Sequence, residues 1–180
     1  MRRTIRTERL LLRPLELADA RRVAQLTSDP DVARMVGMIP TPHPHICAEG
    51  FILILRARAS LERDFVYAID RPGEGVIGCA GIHLRGPKGI GAELGYWIGR
   101  PHWGAGYATE AARAVAVEAS ASFGEITASY FLDNPASRRV LEKVGFRDAG
   151  VQEMRFSLAR RGKTPAKIMR LAALPRAASA

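Results

Sequence analysis

The chain has 180 residues, 47% of them hydrophobic and 25% charged, with a formal net charge of +9. That length suits one domain with a sizeable core rather than two, and the ordinary composition favours no disordered or fibrous class. Two cysteines, Cys47 and Cys79, are too few for a disulfide framework, and no apolar run is long enough for a signal peptide or a membrane span, so a cytoplasmic location is expected.

Residues 4–15, rich in leucine and closed by Pro14, are expected as a first strand. Residues 16–28 are expected as a helix, with Leu17, Ala20, Val23, Ala24 and Leu26 near helical spacing. Asp29 caps a short helical turn opened by Pro30, and 37–44, with three prolines, reads as loop. Another helix is expected over 46–61. The period then changes to two. Strands over 65–69, 76–84 and 92–98, joined by turns at 70–73 and 85–89, predict an antiparallel meander. Gly78 and Gly81 weaken the middle strand. Residues 105–123 make the clearest helix, with Ala108, Ala111, Ala112, Val115, Ala119 and Phe123 on one face and Gly124 at its end. A strand over 125–132, a short helix over 134–144 stopped by Gly145, and strands over 146–156 and 166–174 follow. This order gives an α+β class with one strand–helix–strand crossover in the middle. Residues 1–175 are expected as a single domain, with 176–180 as a short tail.

One stretch carries chemistry. Glu93 to Ala111 reads as a strand that runs into a Gly-x-Gly turn, Gly104-Ala105-Gly106, which opens the long helix. Glycines let the backbone approach an anion closely. The helix start adds free N–H groups and the positive end of the helix dipole, which together make a phosphate site. The turn follows a meander in mid-chain, which is the wrong context for a dinucleotide fingerprint. With no GKS or GKT, a nucleotide P-loop is excluded.

Four segments resemble the GNAT superfamily of acetyl-CoA-dependent N-acetyltransferases, and within it the branch of the ribosomal-protein N-terminal (RimJ/RimL-like) acetyltransferases. They are Thr7-Glu8-Arg9-Leu10-Leu11-Leu12-Arg13-Pro14, Gly91-Ala92-Glu93-Leu94-Gly95-Tyr96-Trp97-Ile98, Trp103-Gly104-Ala105-Gly106-Tyr107-Ala108-Thr109-Glu110-Ala111, and the run from Asn134 to Phe146. The resemblance covers nearly the whole chain. It implies a GNAT fold: a mixed, mostly antiparallel sheet of about six to seven strands with helices on both faces. It implies acetyl-CoA as co-substrate. The backbone N–H groups of Trp103, Gly104, Ala105, Gly106, Tyr107, Ala108 and Thr109 would hold the pyrophosphate. The strand ending at Trp97, Ile98 and Gly99 would splay from the strand over 125–132 to admit the pantetheine arm. Asn134 would hydrogen-bond that arm, and Arg139 or Lys143 would meet the 3′-phosphate. Family members often carry Arg or Gln three residues before the first glycine of the turn; here Pro101 stands there, with Arg100 beside it.

The acceptor amine must be neutral to attack a thioester. An α-amino group has a pKa of about 8 and a lysine about 10.4, so a base is needed. Glu93 is the candidate, flanked by apolar residues expected to raise its pKa; the other reading of Glu93 is a structural carboxylate paired with an arginine. A backbone N–H near Ile98 would stabilise the oxyanion. Many family members protonate the departing thiolate with a tyrosine on the helix after the asparagine. None stands between Asn134 and Gly145, and by the resemblance Ser137 takes that place. Tyr96, Trp97 and Trp103 are the aromatic candidates for the acceptor site; Tyr96 and Trp97 point to opposite strand faces, so only one of the two can face it, and Tyr96 is expected there with Glu93.

His43, His45 and Cys47 match no zinc spacing, so no metal is expected. His83 and His102 read as isolated and structural. The excess positive charge lies at both ends, with Arg2, Arg3, Arg6, Arg9 and Arg13 at the start and no acidic residue after Glu153. A basic nucleic-acid-binding module is one alternative reading, but no recognition motif accompanies the charge. A CoA-binding GNAT fold without catalysis, acting as a sensor or scaffold, is another. The partner expected is an amine acceptor, on a small molecule or a peptide, and the resemblance also allows a homodimer.

Overall fold

The leucine-rich start folds as a hairpin rather than as the single strand expected over 4–15. In the computed structural model, β1 (Ile5–Arg6) and β2 (Leu11–Pro14) pair antiparallel. Thr7 makes the break: its N–H donates to the Leu10 carbonyl at 2.9 Å, and its hydroxyl oxygen accepts from the Leu10 N–H at 3.0 Å. The structure describes residues 1–85 and 91–171. The expected turn residues 86–89, strand residues 172–174 and the tail over 176–180 lie outside them.

The chain continues through a 3-10 turn (Leu17–Asp19) into α1 (Ala20–Thr27), then α2 (Pro30–Ala33) and α3 (His45–Ser60). Asp29 caps α2 by accepting from the Asp31 N–H, with Pro30 at the first position, where a missing N–H costs nothing. The meander follows as expected: β3 (Asp64–Arg71), β4 (Gly75–Arg85) and β5 (Gly91–Ile98) are antiparallel neighbours. The crossover helix α4 (Tyr107–Phe123) leads to β6 (Ile126–Phe131), which lies parallel to β5. Helix α5 (Pro135–Val144) and the hairpin β7 (Arg147–Ser157) and β8 (Gly162–Leu171) complete an eight-stranded sheet in the order β1-β2-β3-β4-β5-β6-β8-β7.

Two apolar clusters cover the two faces of this sheet. On one, Ala111, Ala112, Val115, Ala116 and Ala119 of α4 are buried against Ile82, Leu94 and Ile126. A stripe of alanines lets the helix axis approach the strands closely, and the expected face of α4 is the buried one. On the other, Val23 and Leu26 of α1 and Ile52 of α3 bury Ala68, Cys79 and Trp97. Successive residues of β5 alternate between the clusters: Ala92, Leu94 and Ile98 face α4, while Trp97 faces α1 and α3.

Candidate active site

The parallel ladder between β5 and β6 is short. It pairs Ala92, Glu93 and Leu94 with Ile126, Thr127 and Ala128, and then stops. Beyond Gly95 the two strands diverge: β5 stays paired to β4 as far as Ile98, and β6 stays paired to β8 as far as Phe131. A gap therefore opens in the middle of the sheet. The Ile98 carbonyl turns into it and accepts from the Trp103 indole N–H at 2.7 Å, while the next N–H, of Gly99, returns to β4 at the Ile77 carbonyl. By the two-residue period, the peptide groups of Tyr96 and Ile98 face the gap and those between them face β4.

At the end of β5 a 3-10 turn (Arg100–His102) leads into the glycine turn. Gly104 and Gly106 have φ of +78° and +83°, the left-handed region that glycine enters without penalty. Among the described residues, the N–H groups of Gly104, Ala105, Gly106, Tyr107, Ala108 and Thr109 donate to no protein acceptor, whereas that of Trp103, expected with them, is taken by the Arg100 carbonyl at 3.1 Å; the first bond of α4 is from Glu110 N–H to the Gly106 carbonyl, at 3.1 Å. Six successive free donors at the positive end of a seventeen-residue helix fit an anionic group.

The β1–β2 turn reinforces this loop, and sequence reasoning did not find the connection. Glu110 accepts from the Thr7 hydroxyl (2.7 Å), the Arg9 N–H (2.9 Å) and the Arg9 guanidinium (2.7 Å). Arg9 also donates to the Ala105 carbonyl at 3.0 Å, and its guanidinium lies 4.6 Å from the Tyr107 ring centroid. Burial alone would raise the Glu110 pKa, but the hydrogen bonds from Thr7 and Arg9 and the guanidinium charge hold it below the usual value. Thr7, Arg9 and Glu110 all stand in the segments that carry the family resemblance; only the fold shows that they meet.

The two faces of the gap carry different groups. On the α4 and α5 face, the Tyr96 hydroxyl lies 2.9 Å from Ser137 Oγ and donates to the Ser137 carbonyl at 3.1 Å. Tyr96, expected at the acceptor, is thus joined to the residue expected at the thiolate. The tyrosine hydroxyl beside Ser137 stands on β5 rather than on the helix. Burial pushes the Tyr96 phenol well above its ordinary pKa, so it stays protonated. Ser137 is fixed in turn by the cap of α5, where the Asn134 side-chain oxygen accepts from the Ser137 N–H at 3.1 Å. That bond leaves the Asn134 amide nitrogen as a donor. Arg139 is exposed on the same helix.

On the α1 and α3 face stands an ionic row. Glu93 is 7% exposed and accepts from Arg155 (3.0 and 3.1 Å), Arg85 (3.1 Å) and Ser129 (3.0 Å). The expected rise in its pKa is overturned. Burial pushes it up, but Arg155 and Arg85, with the Ser129 and Arg155 hydrogen bonds, outweigh burial and lower it. Of the two readings for Glu93, the geometry displays the arginine-paired one. Across the strands from Glu93 lies His83, and across from His83 lies Asp64. His83 Nδ1 is 3.1 Å from Asp64, which is itself gripped by the Arg58 guanidinium. His83 is therefore not isolated. Elsewhere, His43 is buried with Nδ1 2.6 Å from the Thr27 hydroxyl, and His45 Nε2 lies 3.7 Å from Glu49.

Among the described residues, no group of three or more His, Cys, Asp or Glu side chains is arranged to hold a metal ion, and no helix is long and apolar enough to cross a membrane.

Residues 9–147 match the model of the acetyltransferase (GNAT) domain. The chain is 32% identical over 153 residues to the N-acetyltransferase YoaA of Bacillus subtilis (strain 168), covering 82% of this chain and 84% of that one. It is 29% identical over 150 residues to the N-acetyltransferase p20 of Bacillus licheniformis, with the same coverage. Among solved structures, Mycobacterium smegmatis RimJ in complex with CoA-disulfide superposes with a TM-score of 0.80 at 23% identity, over 93% of this chain and 85% of that one.

Proposed function

The chain belongs to the acetyltransferase (GNAT) domain family and is at that level an N-acetyltransferase; from that premise we propose that it moves an acetyl group from acetyl-CoA to a primary amine by direct attack on the thioester, with both substrates bound together. The observation that carries this reading is the run of six N–H groups, Gly104 to Thr109, unpaired among the described residues, beside a gap in the sheet.

The co-substrate supplies an activated acetyl thioester. The glycine turn would hold its pyrophosphate through the backbone, which explains why Pro101 is tolerated where relatives often place a cationic or amide side chain. The Tyr96 and Ile98 peptides and the Asn134 amide would pair with the pantetheine arm, and exposed Arg139 would meet the 3′-phosphate. Ser137, held by Tyr96, protonates the departing sulfur. A neutral serine hydroxyl is a weak acid on its own; with Tyr96 beside it, a second hydroxyl can replace the proton it gives. Glu93 keeps Arg85 and Arg155 in place on the opposite face, where the acceptor enters.

The test is CoA release, followed by thiol titration, from acetyl-CoA incubated with peptides bearing free N-termini, polyamines and free amino acids. Turnover with one class is expected and would identify the acceptor. Calorimetric binding of acetyl-CoA without turnover on any amine would favour a silent CoA-binding protein, and failure to bind acetyl-CoA would overturn the reading.

A further inference from the structure

Acetyl transfer needs a group that removes a proton from the acceptor ammonium, and Glu93 is poorly suited to it. Its two oxygens are engaged by two guanidiniums and a hydroxyl, which stabilise the ionised form and weaken it as a base. The residue paired with it across β4 and β5 has a different setting. His83 sits on the same sheet face, partly exposed, with Nδ1 tied to Asp64. Asp64 is 2% exposed and fixed by Arg58 from α3. The other edge of the imidazole lies against Gly95: a Cβ at that position would sit 3.4 Å from Nε2 and Cδ2. Gly95 is where β5 leaves β6. Among the described residues, nothing hydrogen-bonds Nε2.

We propose that His83 is the base that takes the proton from the acceptor amine, with Asp64 as its positioning residue. This rests on the acetyl-transfer reading above. Asp64 accepts from Nδ1–H, which sets the tautomer and leaves the Nε2 lone pair at the mouth of the gap. Imidazole is the side chain whose titration lies closest to neutral pH, which suits a base that must turn over there. The charged groups around it are Asp64 on β3, Glu93 on β5, Arg58 from α3, Arg85 on its own strand, and Arg155 from β7 acting through Glu93. In the step, the ammonium gives one proton to Nε2, which passes it to water. The freed nitrogen lone pair forms the C–N bond at the thioester carbonyl, and the C–S bond breaks with its electron pair going to sulfur. Sulfur takes a proton from the Ser137–Tyr96 hydroxyls, and the second proton lost by nitrogen restores them through solvent. The products are an amide, a thiol and one released proton. The two proton transfers thus occur on opposite faces of the sheet.

Two variants separate catalysis from structure. His83→Asn keeps an N–H where Nδ1 meets Asp64, and His83→Gln keeps a polar group near Nε2; neither accepts a proton. Both are measured on the fastest amine among a free-N-terminal peptide, spermidine and leucine, from below the titration of imidazole to above that of an α-amino group. The expected result is a loss in kcat of about 100-fold or more at neutral pH, with acetyl-CoA affinity and thermal midpoint retained. The residual rate climbs with pH as the amine loses its own proton, and added imidazole recovers part of it. Asp64→Asn, which removes the charged acceptor for Nδ1–H, lowers kcat and alters the pH–rate profile without lowering acetyl-CoA affinity. If His83→Asn keeps the wild-type kcat and profile while the wild type turns over, His83 is structural and the acetyl-transfer reading stands. If the wild type binds acetyl-CoA but acetylates none of the amines, both fall together.

Discussion

The two faces of the sheet at the gap solve different problems with different materials. The α4 and α5 face is built from main chain and neutral hydroxyls: free N–H groups on the glycine turn, Tyr96 on Ser137, and Asn134 as a cap. The α1 and α3 face is built from paired charges: Arg58, Asp64, His83, Glu93, Arg85 and Arg155. A main-chain site of this kind suits a phosphate-bearing group that is the same in every turnover. An ionic row is sensitive to protonation and can be re-tuned by single substitutions. The first face is thus suited to a fixed co-substrate, and the second to a variable acceptor and to acid–base work.

The sharpest way to break this contrast is to remove charge from the second face. Arg155→Met leaves buried Glu93 to Arg85 and Ser129, and a loss of about 2 kcal/mol in unfolding free energy is expected in urea titrations, with acetyl-CoA affinity unchanged. A fall in that affinity would show that the faces are not independent. Acid acts on the same row. Burial works against the Asp64 charge, but the hydrogen bonds from His83 and Arg58 hold its pKa down to about 2. Its stabilisation is present above the unfolded carboxylate value, near 3.9, and is lost as pH falls through the folded one. Acid unfolding monitored by circular dichroism should therefore lose about 2 kcal/mol from this group between those values, and Asp64→Asn should flatten that part of the curve.

The first face is tested by backbone strain. Gly106→Val forces a β-branched residue to a φ of +83°, which costs about 1–2 kcal/mol. Acetyl-CoA affinity should fall about tenfold by calorimetry, and unchanged affinity would remove the turn from the binding site. The smallest expected effect is that of Tyr96→Phe. Loss of one neutral hydrogen bond to Ser137 should lower kcat about fivefold with acetyl-CoA saturating, without moving the acidic limb of the pH profile. A shift of that limb would mean that the two proton transfers are not separated across the sheet.

Legibility in the sequence followed the same division. The strand, turn and helix from Glu93 onward are contiguous, so hydrophobic period and glycine spacing reveal them, as they reveal the meander and the crossover. The ionic row draws on residues 58, 64, 83, 85, 93 and 155, which only strand pairing and the packing of α3 bring together. His83 therefore reads as isolated in the chain although it faces Asp64 in the sheet. Glu93 misled for a related reason. Its neighbours in sequence, Ala92 and Leu94, point to the other face, whereas its neighbours in space are arginines. The single strand expected over 4–15 was broken by Thr7, whose side chain serves the turn and Glu110 at once.

That last contact bears on how the molecule assembles. Arg9 and Glu110 are 101 positions apart, so their meeting closes a loop of more than half the chain. Such closures carry a large entropic cost before they return any stabilisation, and the sheet strands between them must first bring the ends into range. The grip of the amino-terminal hairpin on the glycine turn is accordingly expected late in folding. In a refolding experiment, secondary structure should return before the ability to bind acetyl-CoA.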